Sequence, residues 1–305
     1  MTIHKAISDL PSFRNAVVTI GTFDGVHCGH RQIIRQLKEE AARINGETVL
    51  ITFHPHPRKI VGDTSGVKLL TTLEEKIKLL EAQQIDHLVV VPFNEAFANQ
   101  TAESYIEDFL YKRFKPSVLI IGYDHRFGKK RKGDYHLLEA YGEKLGFVVK
   151  EIPEQVLQEA AISSTRIRKA LLQADIATAT SLLGYDYFFE GTVIEGDKIG
   201  RTLGYPTANL QLNEEEKLVP GDGVYAVSCA LTDSSYKGML YIGSRPVVNG
   251  KRRVIEVNLF DFNDNIYGQT IQVSISGFIR GDMHFDSLEA LKEQLAKDKI
   301  SAGGS

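Results

Sequence analysis

A pair of histidines lies where a buried strand is expected to pass into a helix. In the segment GTFDGVHCGH, residues 21–30, His27 and His30 are three apart and share one face of the helix N-terminus. Backbone N–H groups and the helix dipole favour an anion there, and imidazoles donate hydrogen bonds to phosphate oxygens. Gly25 and Gly29 allow a nucleotide to approach the backbone closely. The segment therefore predicts a phosphate site, although it matches neither a Walker loop nor GxGxxG.

The same residues leave two alternatives open. Both histidines could be structural, or they could bind zinc together with Cys28 and with His54 and His56 of FHPHP. Only one thiol is present, and phosphate chemistry explains the glycines better, so the phosphate site is preferred.

Two further segments carry positive charge. ISSTRIR, residues 162–168, precedes a short helix that its hydroxyl groups would cap, and Arg166 and Arg168 add the fixed charge that a triphosphate needs. HRFGKKRKG, residues 125–133, is either a solvated loop or a loop that binds anions. Each signal gains weight from the histidine pair, because all of them suit one polyphosphate.

The second half of the chain offers a different set of groups. In GDKIGRTLGYPTANL, residues 196–210, Thr207 and Asn209 alternate onto one face of a strand. Two neutral oxygen donors leave most positions of an Mg²⁺ ion to phosphates and water, although a turn rich in glycine and proline explains the segment as well. In RVIEVNLFDF, Glu256 and Asn258 share one face. A carboxylate in a half-apolar strand indicates function unless it faces solvent.

Two architectures follow one another along the chain. Up to about Leu183, apolar runs alternate with helical patterns, which predicts an α/β fold with a doubly wound parallel sheet. Its strands are expected at 16–20, 49–53, 88–91, 118–121 and 147–152, and its helices at 72–83, 102–114 and 135–145. Short strands without intervening helices then predict a small antiparallel β-barrel. These strands are expected at 188–194, 224–231, 237–242, 254–260 and 270–279, before a final helix capped by Asp286.

These patterns divide the chain into an α/β domain over 1–184, a barrel domain over 185–300 and a disordered tail over 301–305. The 305 residues carry 36 basic and 39 acidic side chains, which is not the composition of a nucleic-acid-binding protein. The best apolar run, from Val49, has six residues, too few for a membrane helix, and the N-terminus has no signal pattern. Two cysteines fit a reducing cytoplasm.

The motifs resemble, in order, those of one enzyme family. GTFDGVHCGH, FHPHP, GYDHRFG and ISSTRIR are similar to the nucleotidyltransferase half of the prokaryotic bifunctional riboflavin kinase/FMN adenylyltransferases, the FAD synthetases. GRTLGYPTAN, GVYA and the pattern ExxLFDF resemble their riboflavin kinase module, a six-stranded barrel. The resemblance covers Gly21 to about Leu295, with departures from the family pattern at His54, His125, Asn258 and Asp282.

For the α/β domain, the resemblance implies that His27 and His30 contact the ATP phosphates, while Ser164, Thr165 and Arg168 close over them from the other side. The implied phosphate-binding set also includes Gly21, Phe23, Asp24, Gly29 and Asp124. Within that set, Asp24 could equally be a turn residue that holds the loop.

For the barrel, the resemblance implies that Thr207 and Asn209 hold Mg²⁺ with ATP and that Glu256 is the base on the ribityl 5′-hydroxyl. The implied ATP- and flavin-binding set contains Gly196, Lys198, Gly200, Arg201, Gly204, Pro206 and Asn258.

The sequence thus predicts a cytoplasmic enzyme that converts riboflavin to FMN with ATP and then FMN to FAD and pyrophosphate. Its partners are expected to be small molecules, with neither nucleic acid nor membrane. One rival is a nucleotidyltransferase for a pantetheine or nicotinate substrate with a purely structural barrel. Another is a flavin- or nucleotide-sensing protein without catalysis. The PTAN segment and Glu256 argue against the first rival, and the histidine pair with Glu256 argues against the second.

Overall fold

The computed structural model of the chain describes residues 1–61, 68–123, 125–152, 164–196, 204–231, 234–247 and 250–304. Contacts divide the chain into two compact units, Met1–Ser163 and Ser164–Ser305. The predicted boundary between the two functional domains, at residues 184 and 185, stays a prediction.

The first unit contains a parallel sheet of six strands. They are β1 (Thr2–His4), β2 (Val17–Ile20), β3 (Thr48–His54), β4 (His87–Pro92), β5 (Val118–Gly122) and β6 (Val148–Ile152), in the order β1-β4-β3-β2-β5-β6. Every pairing between these strands is parallel, so the predicted sheet is confirmed. Sequence patterns missed β1, because a three-residue edge strand without a fully buried side chain shows no apolar periodicity.

Helices lie between most of these strands. They are α1 (Cys28–Arg43), α2 (Leu73–Glu81), α3 (Glu95–Ala98), α4 (the consecutive segments Ala102–Ser104, Tyr105–Tyr111 and Lys112–Phe114) and α5 (Tyr135–Leu145). The capping box predicted at Thr72 and Glu75 is present at the start of α2. The middle segment of α4 is a π-helix, whose wider turn sequence patterns do not signal.

Two apolar clusters cover the two faces of the sheet. Neighbouring residues of one strand enter opposite clusters, as Val17 and Val18 do on β2. One cluster packs the sheet against α1 and α2, through Leu37 and Leu80 among others, and the other packs it against α4 and α5. Because both faces are covered, the central strands are continuous apolar runs, and their carboxyl ends are left to carry polar chemistry.

The second unit begins with α6 (Ser164–Leu172) and α7 (Ile176–Leu183) and continues into a closed barrel. Its strands are β7 (Phe188–Ile194), β8 (Ala208–Leu212), β9 (Gly223–Leu231), β10 (Ser234–Val247), β11 (Gly250–Leu259) and β12 (Thr270–Arg280), in the order β10-β11-β8-β7-β12-β9. All of these pairings are antiparallel, which confirms the predicted barrel.

The final helix, α8 (Leu288–Ser301), corrects two sequence predictions. Its N-cap is Ser287, which accepts a hydrogen bond from the backbone N–H of Ala290, and not Asp286. The predicted disordered tail is wrong for residues 301–304. Ser301 belongs to the helix, and the backbone N–H of Gly304 donates to the carbonyl of Lys299.

Candidate active sites

The turn from β2 into α1 has an unusual backbone conformation. Phe23, Gly25 and Val26 have φ of 47°, 83° and 36°, in the left-handed region that suits glycine and is unfavourable for a β-branched side chain. Phe23 and Val26 are buried in the apolar core, which holds them in this conformation. Strained backbone fixed by packing is typical of a functional turn.

The turn delivers His27 to the N-terminus of α1, where it is the N-cap. Its Nδ1 accepts a hydrogen bond from the backbone N–H of His30 at 3.3 Å. The two imidazoles are stacked, with ring centroids 3.7 Å apart and planes 14° apart, and His30 also contacts the ring of Phe23. The structure therefore brings together the two histidines singled out by their spacing, next to the buried Gly29.

The electrostatics of the site favour the neutral form of the His30 ring. Burial holds the pKa of His30 well below its ordinary value of 6.5, and the nearby His27 and Lys76 lower that pKa further. Because Nδ1 of His27 accepts a hydrogen bond, the neutral form of that ring carries its proton on Nε2. The pair can thus supply N–H donors to phosphate oxygens without placing two positive charges side by side.

Asp24 holds the turn. Its carboxylate is 1% exposed and accepts hydrogen bonds from the backbone N–H groups of Leu70 and Thr71, at 3.2 and 3.0 Å. The Thr71 hydroxyl accepts from the N–H of Gly25 at 3.1 Å, so the segment before α2 is tied to the turn twice. This geometry favours the turn-holding alternative for Asp24 over a contact with phosphate.

The zinc alternative gains no support from the geometry. Nδ1 of His56 accepts a hydrogen bond from the N–H of Arg58 and so caps a short 3₁₀ turn. His54 is exposed at the end of β3. Within the described ranges, no group of three or more histidine, cysteine, aspartate or glutamate side chains could hold a metal ion.

The other residues predicted for the phosphate site lie in several parts of the chain. Ser164, Thr165 and Arg168 lie in the first turns of α6, which belongs to the second unit. Their role over the phosphates stays a prediction. Gly21 continues the pairing of β2 with β3 by donating to the carbonyl of Ile51. Asp124 lies outside the described residues.

The basic segment forms a closed loop. Phe127 and Gly133 form an isolated antiparallel bridge at its base, and an ion pair of 2.9 Å joins Arg126 to Asp134. Residues 129–132, three lysines and one arginine, are exposed between these ties. The fold thus presents four positive charges on a constrained loop.

A cavity of about 240 Å³ lies in the second unit, between barrel strands and α8. Its walls are mainly apolar, and they include Val224, Met239, Leu240, Phe285, Leu291 and Leu295. Glu256 and Asn258 contribute polar groups from β11, and both are about 95% buried, with 6% and 5% exposure. The solvent-facing alternative for Glu256 is therefore excluded.

The segment with Thr207 and Asn209 is anchored to β11, and only Asn209 lies on β8, because the strand begins at Ala208. Asn209 lies directly opposite Glu256 in the antiparallel register. Nδ2 of Asn258 donates a hydrogen bond of 2.7 Å to the carbonyl of Pro206. Asn258 thus positions the PTAN segment, and a Cβ on Gly196 would overlap the amide of Asn209, which explains a glycine there.

Thr207 separates two cavities. It lines the apolar cavity with Glu256 and also a second, more polar groove of about 600 Å³. This groove is bounded by Pro206, Ala208 and the loop from Phe262 to Tyr267. Gly204 lies in the turn before β8, whereas Lys198, Gly200 and Arg201 lie outside the described residues.

Sequence reasoning missed one buried cation near the histidines. Lys76 is 5% exposed, although it is a lysine on an otherwise amphipathic helix. The available signal was its spacing, because Lys76 lies three residues after Leu73 and four before Leu80, on the face of α2 that packs on the core.

Comparison with known proteins also divides the chain into two consecutive parts, one for each family model. A family model described as FAD synthetase matches residues 10–166, and one described as riboflavin kinase matches residues 183–303. The chain is 39% identical over 301 residues to the bifunctional riboflavin kinase/FMN adenylyltransferase of Escherichia coli, covering 98% of this chain and 95% of that protein. It is 38% identical over 290 residues to the one from Haemophilus influenzae, covering 95% and 94%.

A solved structure shares the fold over the whole length. It is described as a macrolide-efflux protein from Streptococcus pneumoniae, with a TM-score of 0.88 and 30% identity, covering 100% of this chain and 99% of that chain. In the described part of the present chain, we find no helix with the length and apolar character needed to cross a membrane.

Proposed function

The chain belongs to the bifunctional riboflavin kinase/FMN adenylyltransferase family, and we propose that its barrel phosphorylates riboflavin while its α/β unit adenylylates the FMN produced. The observation that carries the kinase assignment is the position of Thr207 between the apolar cavity with Glu256 and the polar groove. A flavin ring suits the first cavity and a nucleotide suits the second, so the transferred phosphoryl group would pass at Thr207.

In the kinase step, the ribityl 5′-hydroxyl attacks the γ-phosphorus of ATP, its proton goes to a carboxylate, and ADP leaves. Glu256 is the proposed base, because it is buried in the apolar cavity opposite Asn209. A positioned base contributes about 10²–10⁴-fold, and alignment with charge neutralisation supplies the remainder.

Mg²⁺ is the proposed cofactor of this step. The Thr207 hydroxyl and the Asn209 amide oxygen are hard neutral donors two residues apart, and the amide of Asn209 packs against Gly196, where a side chain would displace it. When bound, Mg²⁺ neutralises charge on the phosphates of ATP. Asn258 supports both donors by fixing Pro206 through its hydrogen bond.

We expect Thr207→Val to raise the Mg²⁺ concentration needed for half-maximal riboflavin phosphorylation by about 10- to 100-fold, the cost typical of a disturbed metal site. Valine keeps the shape of threonine but lacks the oxygen. Titrating Mg²⁺ against both activities measures the effect, with Thr270→Val, an exposed threonine of β12, as the control. An unchanged Mg²⁺ requirement would show that Thr207 does not bind the metal.

In the adenylyl transfer step, the FMN phosphate attacks the α-phosphorus of a second ATP, and pyrophosphate leaves. No covalent enzyme intermediate is needed. His27 and His30 are proposed to donate N–H hydrogen bonds to the phosphate oxygens at the N-terminus of α1, as charge builds in the displacement. Ser164, Thr165 and Arg168 are proposed to contribute from α6.

The exposed charges at residues 129–132 are proposed to attract the phosphates in this step only. Changing all four to glutamine should raise the KM for ATP or FMN in adenylylation several-fold at low ionic strength, since each exposed charge contributes roughly 0.2–1 kcal/mol. The KM values of riboflavin phosphorylation should not change. A control variant neutralises four exposed cations elsewhere in the same unit, Lys112, Arg113, Lys115 and Lys144. Equal changes in the KM values of both variants would show that the loop is a solvated surface that does not attract the phosphates specifically.

Incubating the purified protein with riboflavin, ATP and Mg²⁺ and resolving the flavins over time tests the whole proposal. FMN should appear first and FAD later. A nucleotidyltransferase for another substrate would produce neither, and a sensing protein would bind riboflavin unchanged. The cytoplasm is the proposed location, because two cysteines in 305 residues are too few for a disulfide framework and ATP is a substrate of both steps.

A further inference from the structure

A buried ammonium group lies directly beneath the turn that carries the histidine pair. Nζ of Lys76 donates a hydrogen bond of 2.8 Å to the carbonyl of Thr22 and lies 3.5 Å from Oγ1 of Thr52 on β3. The Thr52 hydroxyl donates to the same carbonyl at 3.1 Å. Two donors from two different elements therefore fix the peptide that begins the strained turn.

The charged groups around Lys76 come from each element packed on it. The turn contributes the Asp24 carboxylate, α1 contributes His30 with His27 stacked on it, and α2 itself contributes Glu75, which caps that helix. From β3 the contact is the neutral Thr52. Burial lowers the pKa of Lys76 to about 8, although the negative charge of Asp24 opposes this shift.

A structural role alone explains this arrangement poorly. Lys76 occupies a core-facing position of α2, where methionine or leucine would pack without losing the hydration of a charge. A buried cation next to a site that must bind a polyphosphate has an electrostatic use that an apolar residue lacks.

We propose that Lys76 is a positioning residue for adenylyl transfer, which fixes the Thr22 carbonyl through a charged hydrogen bond and so holds the turn that presents His27 and His30. This inference rests on the proposed function of the histidine site. It assigns to α2 a residue that acts through the turn and the imidazole pair rather than by touching the reacting atoms.

The pH dependence follows from the signs of these effects. Lys76 loses its charge as the pH rises through about 8, so adenylylation should decline above that pH. The positive charge of Lys76 lowers the pKa of His30, so removing that charge should raise the pH at which His30 becomes protonated. A loss of activity on the acidic side would then begin at higher pH.

The test compares Lys76→Met and Lys76→Arg with wild type, using kcat/KM for FMN adenylylation from about pH 5.5 to 9.5, a range that spans the ordinary pKa of histidine and the lowered pKa of Lys76. Lys76→Arg should lose the decline above about pH 8, because guanidinium stays protonated. Lys76→Met should lose about 10- to 100-fold at neutral pH through misplacement of the turn. NMR titration of the His30 imidazole should show a raised pKa in Lys76→Met.

Two controls separate the possible failures. Lys78→Met changes an exposed lysine of the same helix and should match wild type, and riboflavin phosphorylation on each preparation reports the intact second unit. If Lys76→Met does not fold, the pH profile of Lys76→Arg decides, because only a group that titrates near pH 8 produces the decline that arginine should remove. A decline above about pH 8 in Lys76→Arg equal to that of wild type would overturn the inference, and so would wild-type activity with an unchanged His30 titration in a folded Lys76→Met. Absence of FAD formation by wild type would instead overturn the proposed function.

Discussion

His27→Ala is expected to lower FMN adenylylation by about 10²–10³-fold or more, the usual cost of removing one preorganised donor, while riboflavin is still converted to FMN. The product of the coupled reaction should shift from FAD to accumulated FMN. Alanine also removes the N-cap of α1, which costs about 1 kcal/mol of stability. Flavin product analysis on one preparation, with its melting temperature, measures both effects.

Two further variants isolate the imidazole from the cap. His27→Ser retains a side-chain oxygen that accepts the N–H of His30, so it should restore stability and not adenylylation. His136→Ala changes an exposed histidine on α5 and should leave both activities at the wild-type level. Loss of both activities in a folded His27→Ala protein would contradict the claim that the two reactions take place at separate sites.

Glu256→Gln is expected to slow riboflavin phosphorylation by about 10²–10⁴-fold and to leave adenylylation of supplied FMN near wild type. Glutamine keeps the shape and hydrogen-bonding capacity of the side chain but cannot take the proton of the ribityl hydroxyl. The comparison needs both rates on one preparation with a matched melting temperature, and Glu289→Gln, an exposed carboxylate on α8, is the control. A wild-type rate of phosphorylation would make Glu256 structural.

The sequence alone was sufficient to predict those features that depend on residues close together in the chain. Strand and helix alternation, the Thr72 capping box and the spacing of His27 and His30 each depend on residues a few positions apart. The short spacing of Thr207, directly before β8, and Asn209, on that strand, is local in the same way. These patterns, together with the order of the motifs, were enough to predict both folds and the residues that the proposal uses.

The remaining features depend on contacts between distant parts of the chain. The hydrogen bond from Asn258 to Pro206 spans 52 positions, and the one from Lys76 to Thr22 spans 54. Asp24 was ambiguous in the sequence, since only folding shows that Leu70 and Thr71 occupy its carboxylate. Periodicity carries no information on such pairs, because it reports which face is apolar and not which atoms meet.

The same reasoning explains the corrections at the C-terminus. Ser287 and Asp286 are both good N-cap residues, so propensity did not separate them. The composition of SAGGS predicts disorder, but Ser301 extends a helix whose buried Asp298 forms an ion pair with Arg280 at 2.8 Å. That long-range anchor stabilises the last turn, and local sequence gives no sign of it.

One reaction with two labels tests most directly whether this chain transfers a γ-phosphoryl group to riboflavin and then an adenylyl group to FMN. Riboflavin and Mg²⁺ are supplied with ATP labelled with ³²P at either the γ- or the α-phosphorus, and FMN and FAD are separated and counted. The γ-label should appear in FMN and persist in FAD, whereas the α-label should appear in FAD and be absent from FMN. The α-label in FMN, or FAD without the γ-label, would contradict the proposed sequence of two transfers.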